Sequence, residues 1–180
     1  APAVVRHYNS QLVSKDYGLG FGWTWMAVKK LELYGTILQV REGDGRGEPF
    51  TKNSAGQWLA DADSKLSLVQ DGSGFTLTRQ DGSSERYDTT GKLLSETDRN
   101  NRTTSYSYNS SGKLSSVTGP YGHALVIGYD SNGRIASTND PAGGVYGYSY
   151  DAKGNLSRVT YQDGSFKRYH YENTAYPNHL

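Results

Sequence analysis

The chain has 180 residues with 19 basic and 18 acidic side chains, a net charge of +1, and is sized for one domain or two small units sharing a sheet. Leu, Ile, Val and Phe make up only about 18% of it, but 15 Tyr and 3 Trp restore the buriable bulk and the net charge is too small for a disordered chain. There is no apolar run of membrane-spanning length, no Cys for a disulfide framework or thiolate metal site, and no basic block of the kind that drives nucleic-acid binding.

Ala1 to Arg6 lack a basic stretch followed by an apolar one, so no signal peptide is expected there; one already removed, or another export route, fits equally. Gly18-Leu19-Gly20-Phe21-Gly22 is glycine-rich but matches neither a dinucleotide fingerprint nor a P-loop, and predicts a bulged or twisted strand. Phe21 to Trp25 alternate, and Leu31–Tyr34 and Ile37–Val40 read as strands. Trp25 to Leu33 come nearest to a helical stripe, yet short alternation explains them as well. Glu42 to Gly47 form a turn whose acids Glu42, Asp44 and Glu48 offer at most a weak calcium site, without EF-hand spacing. Phe50, Trp58, Leu66-Ser67-Leu68 and Phe75-Thr76-Leu77 continue as short strands between Gly and Asp breaks. Residues 1–80 are thus expected to be a β segment that precedes, out of phase, a periodic region over 81–180.

That region repeats every 21 residues. Tyr87, Tyr108, Tyr129, Tyr150 and Tyr171 are each followed by Asp, Asn or Glu; Gly91, Gly112, Gly133 and Gly154 lie four residues after the first four, and Leu93, Leu114, Ile135 and Leu156 two further on. Each unit reads as two strands and two turns, with Gly supplying positive φ. Alternation places Tyr146, Tyr148 and Tyr150 on one face, in columns with Thr104, Tyr106 and Tyr108, with Leu125, Ile127 and Tyr129, and with Lys167, Tyr169 and Tyr171. The opposite face is mostly Ser, Thr, Gly and Arg. Gly82 precedes Tyr87 by five residues where Gly122, Gly143 and Gly164 precede their tyrosines by seven. A two-residue deletion preserves the face of every side chain, so Asp81-Gly82 to Tyr87 read as a shortened copy of the same hairpin.

Tyr129-Asp130-Ser131-Asn132-Gly133-Arg134-Ile135, running on to Asn139-Asp140-Pro141-Ala142-Gly143, closely resembles the RHS or YD repeat. Tyr8-Asn9-Ser10 and Gly22-Trp23-Thr24-Trp25 resemble the segment that precedes such repeats in bacterial RHS polymorphic toxins. The resemblance implies an all-β fold of antiparallel hairpins stacked into a continuous twisted or spiralling sheet, part of a shell that encloses a C-terminal toxin. It implies a secreted or cell-surface bacterial protein with toxin cargo or further YD repeats as partners. Within these 180 residues three departures stand out: the array holds about four repeats, too few to enclose a cargo, and neither the self-cleaving C-terminal motif expected after Asp140-Pro141 nor a toxin domain is among them.

Chemistry of its own is sparse. His7, His123, His170 and His179 are scattered without metal-ligand spacing, and His170 is expected on a polar strand face. Asp61, Asp63, Asp71, Asp81 and Asp163 sit in turns, while Asp88, Asp130 and Asp151 belong to the repeat. No catalytic residue, metal or cofactor is expected, and the tyrosine and glycine positions are read as scaffold. The sequons at Asn101, Asn109 and Asn155 would matter only in a eukaryotic secretory host. The chain is therefore expected to be a non-catalytic shell wall; the alternative is a secreted carbohydrate- or protein-binding module, with Trp58, outside the array, as its glycan platform. It is also expected to be a piece of something longer, its last strand edge at 167–171 covered by a neighbour.

Overall fold

A computed structural model describes residues 4–25 and 29–180. Alternating apolar positions between Gly- and Asp-closed turns leave the chain little choice but short strands, and 17 form among the described residues. β1 (Arg6–Tyr8) and β2 (Trp23–Trp25) make a separate two-stranded ribbon. The other fifteen run as one antiparallel meander in which every strand pairs with its neighbours in sequence. They are β3 (Lys30–Tyr34), β4 (Ile37–Arg41), β5 (Gly47–Lys52), β6 (Trp58–Ala60), β7 (Ser67–Asp71), β8 (Gly74–Thr78), β9 (Ser84–Tyr87) and β10 (Leu93–Thr97). Then follow β11 (Thr103–Tyr108), β12 (Leu114–Thr118), β13 (Ala124–Tyr129), β14 (Ile135–Asn139), β15 (Val145–Tyr150), β16 (Leu156–Thr160) and β17 (Phe166–Arg168).

The all-β reading and the hairpin stacking hold. The boundary at 80/81 falls between β8 and β9, which are paired neighbours of the same sheet. The shortened copy is visible as β9, four residues long where β11, β13 and β15 have six, with Glu85 and Tyr87 still facing inward. Of the stretch 25–33, residues 26–28 lie outside the described ones and β3 begins at Lys30.

A regular irregularity sets the inner face. Ser107 pairs with Ser116 but Tyr108 pairs with Leu114, and the same skip recurs at Tyr129 opposite Ile135 and at Tyr150 opposite Leu156. A β-bulge at each of these hairpins leaves one residue unpaired. The strand after it therefore buries its first and fourth residues: Leu114 and Val117, Ile135 and Thr138, Leu156 and Val159. Together with Tyr106, Leu125, Ile127 and Tyr148 they form one continuous core.

The sheet also curls. Lys30 bridges to Lys92, and the Leu31 N–H donates to the Gly91 carbonyl at 2.8 Å, so β3 meets the turn between β9 and β10.

The amino-terminal segment lies across the turns of the array rather than beside it. The stretch from Gly18 to Gly22 is a loop, not the strand expected from its glycines. Gly18, Gly20 and Gly22 all take positive φ, which breaks the extended path. The Ile135 N–H donates to the Gly18 carbonyl at 2.8 Å. A Cβ on Gly20 would stand 2.7 Å from the Leu156 nitrogen and 2.8 Å from the Gly154 oxygen. The alternation read over 21–25 does not separate two faces either, because all three residues of β2 are buried.

Candidate functional site: the tyrosine ladder and its ion cluster

Each YD turn is closed by its acid or amide. The Oδ1 atom of Asp88 accepts the N–H groups of Thr90 and Lys92 at 2.8 and 2.9 Å. Asn109, Asp130 and Asp151 repeat the pattern on residues two and four ahead, with distances of 2.8–3.1 Å. Gly91, Gly112, Gly133 and Gly154 occupy the positive-φ position of these turns. The carboxylates are thereby committed to the backbone. Burial pushes the Asp88 carboxyl upward, but the Thr90 and Lys92 donors outweigh it and hold the group below its ordinary value.

The tyrosines that precede these acids form a second, vertical connection. The Tyr108 hydroxyl donates to the Leu93 carbonyl at 2.7 Å, Tyr129 to Leu114 at 2.8 Å, Tyr150 to Ile135 at 2.7 Å and Tyr171 to Leu156 at 3.1 Å. Every acceptor lies 15 residues upstream, at the aliphatic that opens the strand after the preceding YD turn. Each ring therefore reaches back one repeat and caps a carbonyl near the bulge, so the ladder holds repeat to repeat. Burial pushes all four hydroxyls up, Tyr129 and Tyr171 to about 12.

A cation sits over three of these rings. Lys92 Nζ lies 5.3 Å from the Tyr108 ring centre, Lys113 Nζ 5.3 Å from that of Tyr129, and the Arg134 guanidinium 4.4 Å from that of Tyr150. The repeat thus has a fourth position, the residue after its glycine, which belongs to the repeat motif but to which sequence alone assigns no role. Its signal was present: Lys92, Lys113 and Arg134 are basic at the same phase. Asn155 breaks the series; it is fully buried and donates to Asp151 Oδ2 and the Pro177 carbonyl, both at 3.1 Å.

Tyr87 is the exception among the five. It has no aliphatic 15 residues upstream, only Gly72, and its hydroxyl instead donates to Glu85 Oε2 at 2.5 Å. Glu85, 4% exposed, stands where later repeats carry Tyr106, Ile127 and Tyr148. It anchors a cluster gathered from separate elements. Lys29 Nζ is 2.6 Å from Glu85 Oε1 and also bonds Glu96, while Arg79 bridges Glu42 at 2.7 Å and Glu85 at 2.8 Å. Tyr106 donates to Glu96. Burial pushes the Glu85 carboxyl up, but Lys29, with Tyr87 and Arg79, holds it below its ordinary value. Nothing in the sequence periodicity pointed to this cluster, because its charged members, Lys29, Glu42, Arg79, Glu85 and Glu96, all fall at different repeat phases.

Trp58 is not a surface platform. It is 8% exposed, its Nε1 donates to Gln70 Oε1 at 3.1 Å, and Lys52 Nζ lies 5.2 Å from its ring. Pairing with Leu68 across β6 and β7 draws it into the core, which leaves no open ring face for a sugar. His170 is exposed, outside any strand. Glu42 turns into the ion cluster, and Asp44 bonds Arg46 in an exposed turn. Among the described residues no group of His, Asp and Glu is arranged to hold a metal ion, and no helix is long and apolar enough to cross a membrane.

Comparison with known proteins adds one specific finding. A family model described as the Teneurin YD-shell matches residues 50–179. No curated protein matches the chain. Among solved structures, a chain of the complex titled TcdB2-TccC3-Cdc42 aligns with 79% of this chain at 18% identity and a TM-score of 0.43. This chain spans only 9% of the length of that one.

Proposed function

The chain belongs to the Teneurin YD-shell family, and we propose that it is a stretch of non-catalytic wall from a YD-repeat shell that encloses a toxic C-terminal segment of a longer protein. The observation that carries this reading is the tyrosine ladder, four hydroxyl-to-carbonyl bonds with the same 15-residue reach. A ladder of that kind stiffens a sheet along its length and can be continued by adding units, as in other repeat proteins. The repeat carboxylates support the non-catalytic part, since they are spent on closing turns. Further YD repeats would extend the sheet from β17, which pairs on one side with β16. The protein would work outside the cytoplasm, secreted or at a bacterial surface.

The test is limited proteolysis of the complete gene product combined with electron microscopy. The expected result is a hollow shell with internal density and a downstream segment that resists trypsin until the shell is opened. A downstream segment cleaved as fast in the whole protein as when expressed alone would overturn the enclosing role.

A further inference from the structure

On the inner side of the sheet, at the edge away from the YD turns, a cavity of about 560 Å3 opens between β1 and the strands β13 to β15. That volume is in the range of small-molecule sites. Its walls are largely apolar and aromatic. Tyr146 and Tyr161 meet edge to face, with ring centres 6.1 Å apart at 84°, and Leu125 closes the floor.

Into this cavity projects Arg6. Its Nε is buried and has no hydrogen-bond partner, and its Nη1 reaches only the Tyr148 hydroxyl, at 3.5 Å. Among the described residues it takes part in no ion pair. Asp140 lies on the same cavity, but its Oδ1 is held by the N–H groups of Ala142 and Gly144, both at 2.8 Å. Arg6 is half-buried and its guanidinium is not answered by an ion pair, and its planar fork matches a carboxylate in two parallel bonds. The Tyr148 hydroxyl, 3.2 Å from that of Thr138, stands next to it as a further polar contact. One cation beside aromatic walls suits a singly charged group on an apolar body. A phosphate dianion would bring more charge than Arg6 answers, with Asp140 opposing it, and a neutral apolar molecule would leave the terminal guanidinium nitrogens without an anionic acceptor.

We propose that this cavity binds a small monocarboxylate with an aromatic or branched apolar body, anchored through its carboxylate to Arg6. The cavity lies wholly within the chain, so its occupancy does not depend on closure of a shell. The test titrates the 180-residue chain by calorimetry with N-acetyl-L-phenylalanine, with its carboxamide, and with acetate, and follows the Arg6 Nε resonance by NMR. The acid is expected to bind at least tenfold more tightly than either the amide or acetate and to shift that resonance. Arg6→Gln should weaken the acid at least tenfold, and Arg6→Lys, which keeps the charge but loses the fork, by less. Equal binding of acid and amide, an Arg6→Gln variant that binds as wild type does, or an Arg6 Nε resonance unmoved by the acid would each overturn the assignment. Should Arg6→Gln fail to fold, the wild-type resonance and Arg6→Lys still decide.

Discussion

Replacing Tyr129 by Phe removes one oxygen atom and tests whether the ladder holds the repeats together. The hydroxyl donates to the Leu114 carbonyl at 2.8 Å, and Leu114 is buried. Losing the donor strands that carbonyl, a change worth about 1–3 kcal/mol, with the low end expected because Tyr129 itself is only half-buried. Tyr129→Ala removes the ring as well, with its contact to Lys113, for a total of about 2–4 kcal/mol. Equivalent geometry requires equivalent cost, so Tyr108→Phe should fall within about 0.5 kcal/mol of Tyr129→Phe, whereas Tyr150→Phe should cost more because its hydroxyl also lies 3.1 Å from the Gly18 carbonyl. Tyr87→Phe should cost more, because its acceptor is the carboxylate of Glu85 and charge-assisted bonds are the stronger class. Urea unfolding with an unchanged m-value provides the comparison. If Tyr129→Phe is within about 0.3 kcal/mol of wild type, the ladder bond contributes nothing and the reasoning fails.

Two glycines with nearly the same φ should respond very differently to alanine. Gly143→Ala has open space around the added methyl and should cost about 1–2 kcal/mol for the left-handed backbone, whereas Gly91→Ala would put Cβ 2.2 Å from the Leu31 carbonyl oxygen and should break the closure of β3 on the array, which hydrogen exchange at Leu31 would reveal. Glu85→Gln should cost about 2–4 kcal/mol at pH 7 by removing the shared carboxylate of Lys29 and Arg79. Because the folded-state pKa of Glu85 is depressed, that stabilisation is present above its ordinary value near 4.5 and is lost as pH falls through the depressed one, so variant and wild type should converge in acid urea titrations. Tyr129 and Tyr171 are raised from about 10 to about 12, so their contribution is intact below pH 10 and is lost as pH climbs towards 12; thermal midpoints should fall over that window, less steeply in Tyr129→Phe, and an identical slope in the variant would refute the assignment.

What the sequence disclosed follows from how local each feature is. The turns at Asp88, Asp130 and Asp151 are built from four or five consecutive residues, so spacing alone revealed them. The inward columns were legible because alternation is a property of one strand. The bulge was not, since it exists only in the pairing of Ser107 with Ser116 and Tyr108 with Leu114 across two strands. Tyr87 was taken for an equal rung of the ladder; it is phased like one, but its missing partner lies in a region without the repeat. Trp58 was misplaced for a related reason: standing outside the array says nothing about standing outside the core. The ion cluster draws residues 29, 42, 79, 85 and 96 together through the curl of the sheet, which no one-dimensional period encodes.

The amino-terminal segment gives the array something its repeats cannot supply. Along the sheet each unit satisfies the next, through strand pairing and through the tyrosine bonds. At the turn edge the backbone points away from any neighbouring unit, and polar groups there need partners from elsewhere. Leu31 serves the Gly91 carbonyl, Gly18 serves the Ile135 amide, and the bare backbone of Gly20 packs against Gly154 and Leu156. Trp23 ties the same segment to the last rung, its Nε1 donating to the Tyr171 hydroxyl at 2.9 Å. The first, third and fourth turns are thus strapped, while the second, at Gly112, borders an open groove with Lys92 and Lys113. The glycine at 20 is required because only a backbone without Cβ comes this close to another backbone, whereas Gly18 is favoured by its positive φ alone. A sheet held in one direction by its own repeats is therefore held in the other by a segment that does not repeat.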